Sequence, residues 1–423
     1  MTMTYLRPLR VILIVGLAVG LAGAARGQGV GPGSKAAGEA AAKDAAPPSA
    51  KDVIARAVEF ILSAQESLDG KGPKAEWPYE GVYRVRREIP IGYRVGGTAI
   101  CAVFLVRAPG YEGDAARKEA VARAVDFVCA QREHPLMSPG EYDAGYDVRG
   151  WGYTYALAML LELKARDALP AGEGVKEKAE ATIAWAIKAL EATEIPRVGG
   201  WNYARPPGKA QPAPSSPFMT GPSIQALLEA RRQGYAVDGG VLERGLKALE
   251  RCRGETGAYS YAASSPPKEP EPVPGAVGRM LAGETTLLLA GRGDVGRVRA
   301  ALDGFVAHWS WLEKRRARPG THEGPYAIAP YYFYYAHYYA AQAVEMMPPR
   351  DRPEYRRRVA ELVMSTRGED GTWNDRVFPR SAAYGTAMSG MCLLMAQTGA
   401  PARVIVPAVE GGAPVIPDAL PKP

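Results

Sequence analysis

The densest run of chemically capable side chains is Tyr331-Tyr332-Phe333-Tyr334-Tyr335-Ala336-His337-Tyr338-Tyr339, six tyrosines in nine residues. Phenylalanine would fill a dry core without asking for a hydrogen-bond partner, whereas each buried phenol needs one. The run therefore reads either as the packed core of a wholly buried helix or as the wall of a wet pocket. Helical spacing puts Tyr331, Tyr335 and Tyr338 on one face with Gln342. Tyr335 and His337 are candidates for moving a proton, with a satisfied core histidine as the plainer account of His337. A second cluster, Trp77, Tyr79, Glu80, Arg84, Tyr93 and Arg94, mixes aromatic faces with charge in a loop. That mixture suits sugar rings and carboxylates, and it equally suits a solvated loop whose charges pair with each other. Glu141, Asp143 and Asp147 could supply paired carboxylates, Asp143 and Asp147 being the catalytic candidates, as could Glu284 and Asp375.

Several chemistries are disfavoured. There is no Gly-x-Ser-x-Gly elbow for a serine nucleophile. His134, His308, His322 and His337 stand at no ligand spacing to one another or to the cysteines, so no metal and no cofactor is expected. Cys101, Cys129, Cys252 and Cys392 lie in apolar helical runs without a Cys-x-x-Cys spacing and read as small buried hydrophobes. The net charge is +7, but the basic residues are scattered rather than massed, which argues against nucleic acid.

The elements that must position these residues are repeats. Ala55-Arg56-Ala57-Val58-Glu59-Phe60-Ile61 returns as Ala122-Arg123-Ala124-Val125-Asp126-Phe127-Val128. A glycine turn followed by an aromatic recurs at Gly150-Trp151, Gly199-Gly200-Trp201, Gly257-Ala258-Tyr259, Gly324-Pro325-Tyr326 and Gly371-Thr372-Trp373, with a looser version at Trp77-Pro78-Tyr79. Glycine there lets the chain leave a helix through positive φ, and the aromatic folds back over the helix end. A second helix class follows each turn, in which Thr98, Thr154 and Thr386 each precede a small residue by four positions. The threonine suits a helix start, where its hydroxyl accepts an orphan N–H.

The count is six helix pairs, over about 51–107, 116–166, 175–232, 238–291, 295–347 and 352–398. The expected fold is all-α, an (α/α)6 toroid with the first helix of each pair outside and the apolar second helix inside. Closing the ring hides the two raw ends an open stack would expose. Binding is expected at the mouth formed by the N-terminal turns of the inner helices. Cys101 and Cys392, on the first and sixth inner helices, are expected to be near each other without a bond.

Outside the toroid (51–400), residues 1–24 read as a signal peptide: Arg7 and Arg10 precede an apolar run ending near Ala22-Gly23-Ala24. That run is short for a membrane span, so a secreted or periplasmic location is expected. Residues 25–50 are a linker and 401–423 a Pro/Gly-rich tail.

Gln65 leading to Trp77, Gln131 leading to Trp151, and Arg367 through Asp370-Gly371-Thr372-Trp373 resemble the repeat of the terpenoid cyclase and protein prenyltransferase α/α toroids. The chain is most similar to bacterial secreted proteins with a prenyltransferase or squalene oxidase repeat, a group of largely unassigned activity. The cyclases' Asp-x-Asp-Asp acid, the metal-dependent synthases' Asp-Asp-x-x-Asp and a zinc site have no match here. The resemblance implies the fold and leaves three functions open. They are a binding or scaffold protein for an apolar or glycan ligand, a polysaccharide lyase or glycoside hydrolase, and an isoprenoid cyclase or transferase with a displaced acid.

Overall fold

Capping acids and apolar stripes lay out the helices. Asp114, Asp238 and Asp294 each accept a backbone N–H of the first turn that follows. The structure, a computed structural model, describes residues 49–140, 147–202, 214–262 and 273–406. Among these are twelve α-helices. Six odd-numbered helices form one set: α1 (Ala50–Ser63), α3 (Ala115–Ala130), α5 (Val175–Thr193), α7 (Gly239–Cys252), α9 (Val295–Glu313) and α11 (Arg352–Met364). The even-numbered partners are α2 (Ile91–Arg107), α4 (Arg149–Ala165), α6 (Pro217–Arg232), α8 (Val273–Leu289), α10 (Tyr332–Met346) and α12 (Ser381–Thr398).

Burial separates the sets as patterning requires. In α11 only Val359 and Val363 are buried, whereas in α8 every residue from Pro274 to Leu289 is. The second set is therefore the inner one. Each inner helix packs on the next, from α2 through α4, α6, α8 and α10 to α12, and α12 packs back on α2. The ring is closed, and the fold is an all-α (α/α)6 toroid. At the closure Gly390 lies flat against Phe104, where an added Cβ would stand 2.2 Å from the ring. All four cysteines are buried and unbonded.

The glycine–aromatic turn welds outer to inner helices. The indole N–H of Trp77, Trp201 and Trp373 donates to Ile61, Leu190 and Val363 carbonyls of α1, α5 and α11, at 2.6, 2.9 and 2.8 Å. Their backbone N–H groups donate to Thr98, Thr220 and Thr386 of the following inner helix, at 2.9, 3.0 and 3.1 Å. Each tryptophan thus donates to a last-turn carbonyl of one helix, which at Val363 also accepts from Thr366, and is held by the next. Thr98 and Thr386 do accept an N–H, but from the preceding loop and from well inside their helices, so they are not helix-start caps. The second unit also departs from expectation: Gly150-Trp151 lies within the first turn of α4. Gly199 and Gly200 do take positive φ, at 80° and 74°, where a side chain at 199 would strike the Arg244 carbonyl.

Residues 1–48 and 407–423 lie outside the described residues, and with them the leader, nearly all of the linker and most of the tail. No helix among the described residues is long and apolar enough to cross a membrane.

Candidate functional site

The six inner helices enclose a bore that side-chain size divides in two. At the end where these helices begin, large rings converge: Tyr93, Trp151, Phe218, Tyr331 and Tyr384 from or beside five inner helices, and Tyr79 from the preceding loop. Tyr79 and Tyr384 approach to 4.7 Å between ring centroids, Tyr93 and Trp151 to 5.4 Å in an edge-to-face pair. The space left is about 10 Å³, room for about one water. Among the described residues, the expected mouth is therefore filled by aromatic packing.

Two buried charges stand at this end. Asp375 is fully buried, and neither oxygen of its carboxyl has a hydrogen-bond partner. Burial raises its pKa from 3.8 to about 7, against the opposing pull of Arg376 and Arg316. Arg376, 3% exposed, borders the small space with Nε and Nη1 unpartnered.

The other sequence candidates fall into distinct places. Trp77 is a helix weld. Glu80 pairs with Arg84 at 3.0 Å, and Arg94 forks onto Glu76 at 2.7 and 2.6 Å over the Phe127 ring of α3. Asp147 forks with Arg149 at 3.0 and 2.8 Å at the start of α4. Glu284 forks with Arg253 at 2.7 and 2.8 Å and accepts from Tyr259. Glu141 and Asp143 lie outside the described residues. His337 is wholly buried and has both nitrogens engaged: Nε2 accepts from Trp309 at 2.8 Å, and Nδ1–H donates to the Phe333 carbonyl at 2.8 Å. Burial lowers its pKa to about 4, so it is neutral at neutral pH.

The tyrosine face is real, but it does not line one pocket. Tyr331 meets His322 at 2.7 Å at the filled end. Tyr335 crosses the bore to donate to the Phe218 carbonyl at 3.1 Å, and burial raises its pKa well above the ordinary value. Tyr338 lies beyond this partition, and Gln342 exchanges amide hydrogen bonds with Gln225 of α6 at 3.2 and 2.9 Å.

Past that partition, where the inner helices end, a cavity of about 460 Å³ opens. Its walls are Ile100 and Val103 of α2, Tyr155 and Ala158 of α4, Ala226 of α6, Tyr338 and Tyr339 of α10, and Met388, Met391 and Met395 of α12. Its rim carries Arg107, Glu162, Arg166, Glu229 and Arg232. Sequence reasoning did not single out these five, although charges on otherwise apolar inner helices were their signal. Arg107 forks onto Glu162 at 2.9 and 3.0 Å, and Arg166 joins it through Nε at 2.5 Å. Burial alone would raise the Glu162 pKa, but these guanidiniums hold it down at about 2, and it is ionised. Residues 399–402 pass along the rim, and the strap continues to α8, where Val404 N–H donates to the Leu289 carbonyl at 2.9 Å. Among the described residues, no three His, Cys, Asp or Glu side chains gather as a metal would need.

The sequence matches no protein-family model and no curated protein. Solved structures similar to the chain include an unsaturated glucuronyl hydrolase of Streptococcus agalactiae, with 12% identity, TM-score 0.54, and coverage of 83% of this chain and 93% of that one. A GH76 α-mannanase of Bacteroides thetaiotaomicron aligns with 8% identity and TM-score 0.50, covering 83% and 97%. A type II terpene cyclase of Scytonema aligns with 15% identity and TM-score 0.48, covering 82% and 97%. At these identities the likeness to the first two shows the α/α-toroid fold and no activity.

Proposed function

We propose that this chain is a secreted or periplasmic ligand-binding toroid, holding a small, mainly apolar ligand in the cavity between the C-terminal halves of its inner helices. The observation that carries this reading is the contrast between the two ends of the bore. One end is filled, and the other keeps about 460 Å³ walled by alanine, methionine and branched aliphatic side chains with the rings of Tyr155, Tyr338 and Tyr339. That volume falls in the range of small-molecule sites. Methionine suits a wall that must fit an irregular ligand. Native mass spectrometry of the protein from its own source, with uptake of 1-aminoanthracene by the purified protein, tests the reading. A co-purifying mass or bound probe is expected, lost in Ala158→Trp, which fills the cavity from a half-buried position. A clean apo mass together with no probe uptake would overturn it.

One observation favours an enzyme as the second reading. Asp375 lies close enough to Tyr79 and Tyr384 to shift their titration, and both rings border the filled end. Its carboxyl is largely neutral below pH 7 and could give up a proton there. In a carbohydrate-active enzyme, or an isoprenoid cyclase with a displaced acid, it would be the proton donor. Turnover of a glycan or polyprenyl panel that is lost in Asp375→Asn would support this. Turnover unaffected by the substitution would remove it.

A further inference from the structure

The rim of the cavity has more cation than its own acids use. Three guanidiniums, Arg107, Arg166 and Arg232, face two carboxylates, Glu162 and Glu229. Both oxygens of Glu162 are taken by Arg107, and one is shared with Arg166. Glu229 receives Arg232 at 2.7 and 2.5 Å and Gln233 at 2.7 Å. Among the described residues, Arg166 spends only Nε and Arg232 keeps Nη1, so spare N–H donors remain at the ends of two adjacent inner helices.

The partial negative charge of those helix C-termini attracts the guanidiniums, and alone would repel an anion. Three guanidiniums against two carboxylates leave one positive charge, which about half a charge at each of these two helix ends roughly offsets, so the spare N–H donors rather than net charge are what an anion would meet. Deeper in, polar groups are satisfied by one another: Gln225 binds Gln342 and Thr286, the latter at 2.9 Å, and Thr154 meets Ser223 at 2.8 Å. A ligand meets unspent polar donors at the rim and, below it, methionine, alanine and aliphatic side chains with the rings of Tyr155, Tyr338 and Tyr339.

We infer that the ligand of this cavity is an amphipathic monocarboxylate, its apolar body against Met388, Met391 and Met395 and its single charge at Arg166 and Arg232. The inference rests on the reading that this cavity is the binding site. One carboxylate brings two oxygens to these spare donors and a single negative charge, whereas a diphosphate would make the rim strongly negative. A linear acyl chain and a fused-ring acid share this chemistry.

The test is competition against 1-aminoanthracene preloaded into the protein. The competitors are dodecanoate, dodecanol, dodecyl phosphate and tricyclic abietate, all below their micelle concentrations. Dodecanoate or abietate should displace the probe at least about tenfold more effectively than dodecanol, a ratio one charge-assisted hydrogen bond supports. Whichever acid is stronger identifies the chain type. Arg166→Ala should erase that preference without weakening dodecanol, and it leaves Glu162 paired with Arg107, so the helix ends stay joined. Equal displacement by dodecanoate and dodecanol would overturn the carboxylate and leave the cavity reading standing. Stronger displacement by dodecyl phosphate would replace carboxylate by phosphate. Absence of probe uptake by the wild-type protein would overturn both.

Discussion

Asp375→Asn should stabilise this protein, and only above mildly acidic pH. The Asp375 side chain is fully buried, both carboxyl oxygens lack partners, and burial holds its pKa at about 7 against an ordinary 3.8. A folded-state pKa above the unfolded value means the native protein binds the proton more tightly. Native stability therefore falls as pH rises from about 4 to about 7, and is flat with respect to this group above that. The rise from 3.8 to about 7 corresponds to roughly 4 kcal/mol. The groups facing it are Arg376 and Arg316, whose charge opposes the rise, and Tyr79, Tyr334 and Tyr384, neutral across this range. Asparagine keeps the shape and removes the charge. Urea denaturation of both proteins at pH 5, 6, 7 and 8 isolates the term, because other titrating groups cancel in the difference. The difference in stability should be small at pH 5 and grow by a few kcal/mol by pH 8 in favour of asparagine. A difference that does not change between pH 5 and 8 would refute the reasoning, since it would mean that Asp375 titrates alike in both states.

Three further outcomes follow from the geometry. Trp373→Phe keeps an aromatic but removes the pyrrole ring and with it the donor to the Val363 carbonyl, which Thr366 still serves; a loss of about 0.5–1.5 kcal/mol for the hydrogen bond, plus the packing of the lost ring, is expected in thermal or urea unfolding, and an unchanged midpoint would mean the weld is incidental. Gly390→Ala drives a methyl into the Phe104 ring and should cost about 1–3 kcal/mol, with partial recovery in the double variant carrying Phe104→Leu. Val404→Pro removes the N–H that ties the 399–406 strap to Leu289; stopped-flow release of bound 1-aminoanthracene should quicken at unchanged global stability, and an unchanged release rate would show that the strap does not cover the exit.

The six pairs were legible because helical periodicity and a recurrent glycine–aromatic turn are local, and each recurs often enough to fix its own register. The small residue four places after a threonine likewise signalled close packing, as Gly390 against Phe104 shows. The role of the threonines was misjudged, because a hydroxyl that accepts an N–H reads the same whether the donor is its own first turn or the loop before it. Gly150-Trp151 resembled the turn motif in spelling, yet it sits inside α4 with its indole turned to the bore.

An all-α chain of outer and inner helices and the need to close the ring could be read from the residues in order, because burial period and raw ends are local properties of the chain. Which end of the bore is filled emerges only once the helices are packed. That depends on which side chains from six separated helices meet at the same height along the axis. Tyr93, Trp151, Phe218, Tyr331 and Tyr384 coincide at one level, while Ala158, Ala226 and Met391 coincide at another. Periodicity tells a helix which face turns inward and carries no information about that height. The same reasoning applies to Asp375, which lies near Tyr79 and Tyr384, and to Arg107, whose partner Glu162 stands on α4, whereas Arg166 and Arg232 pair with acids at the ends of their own helices.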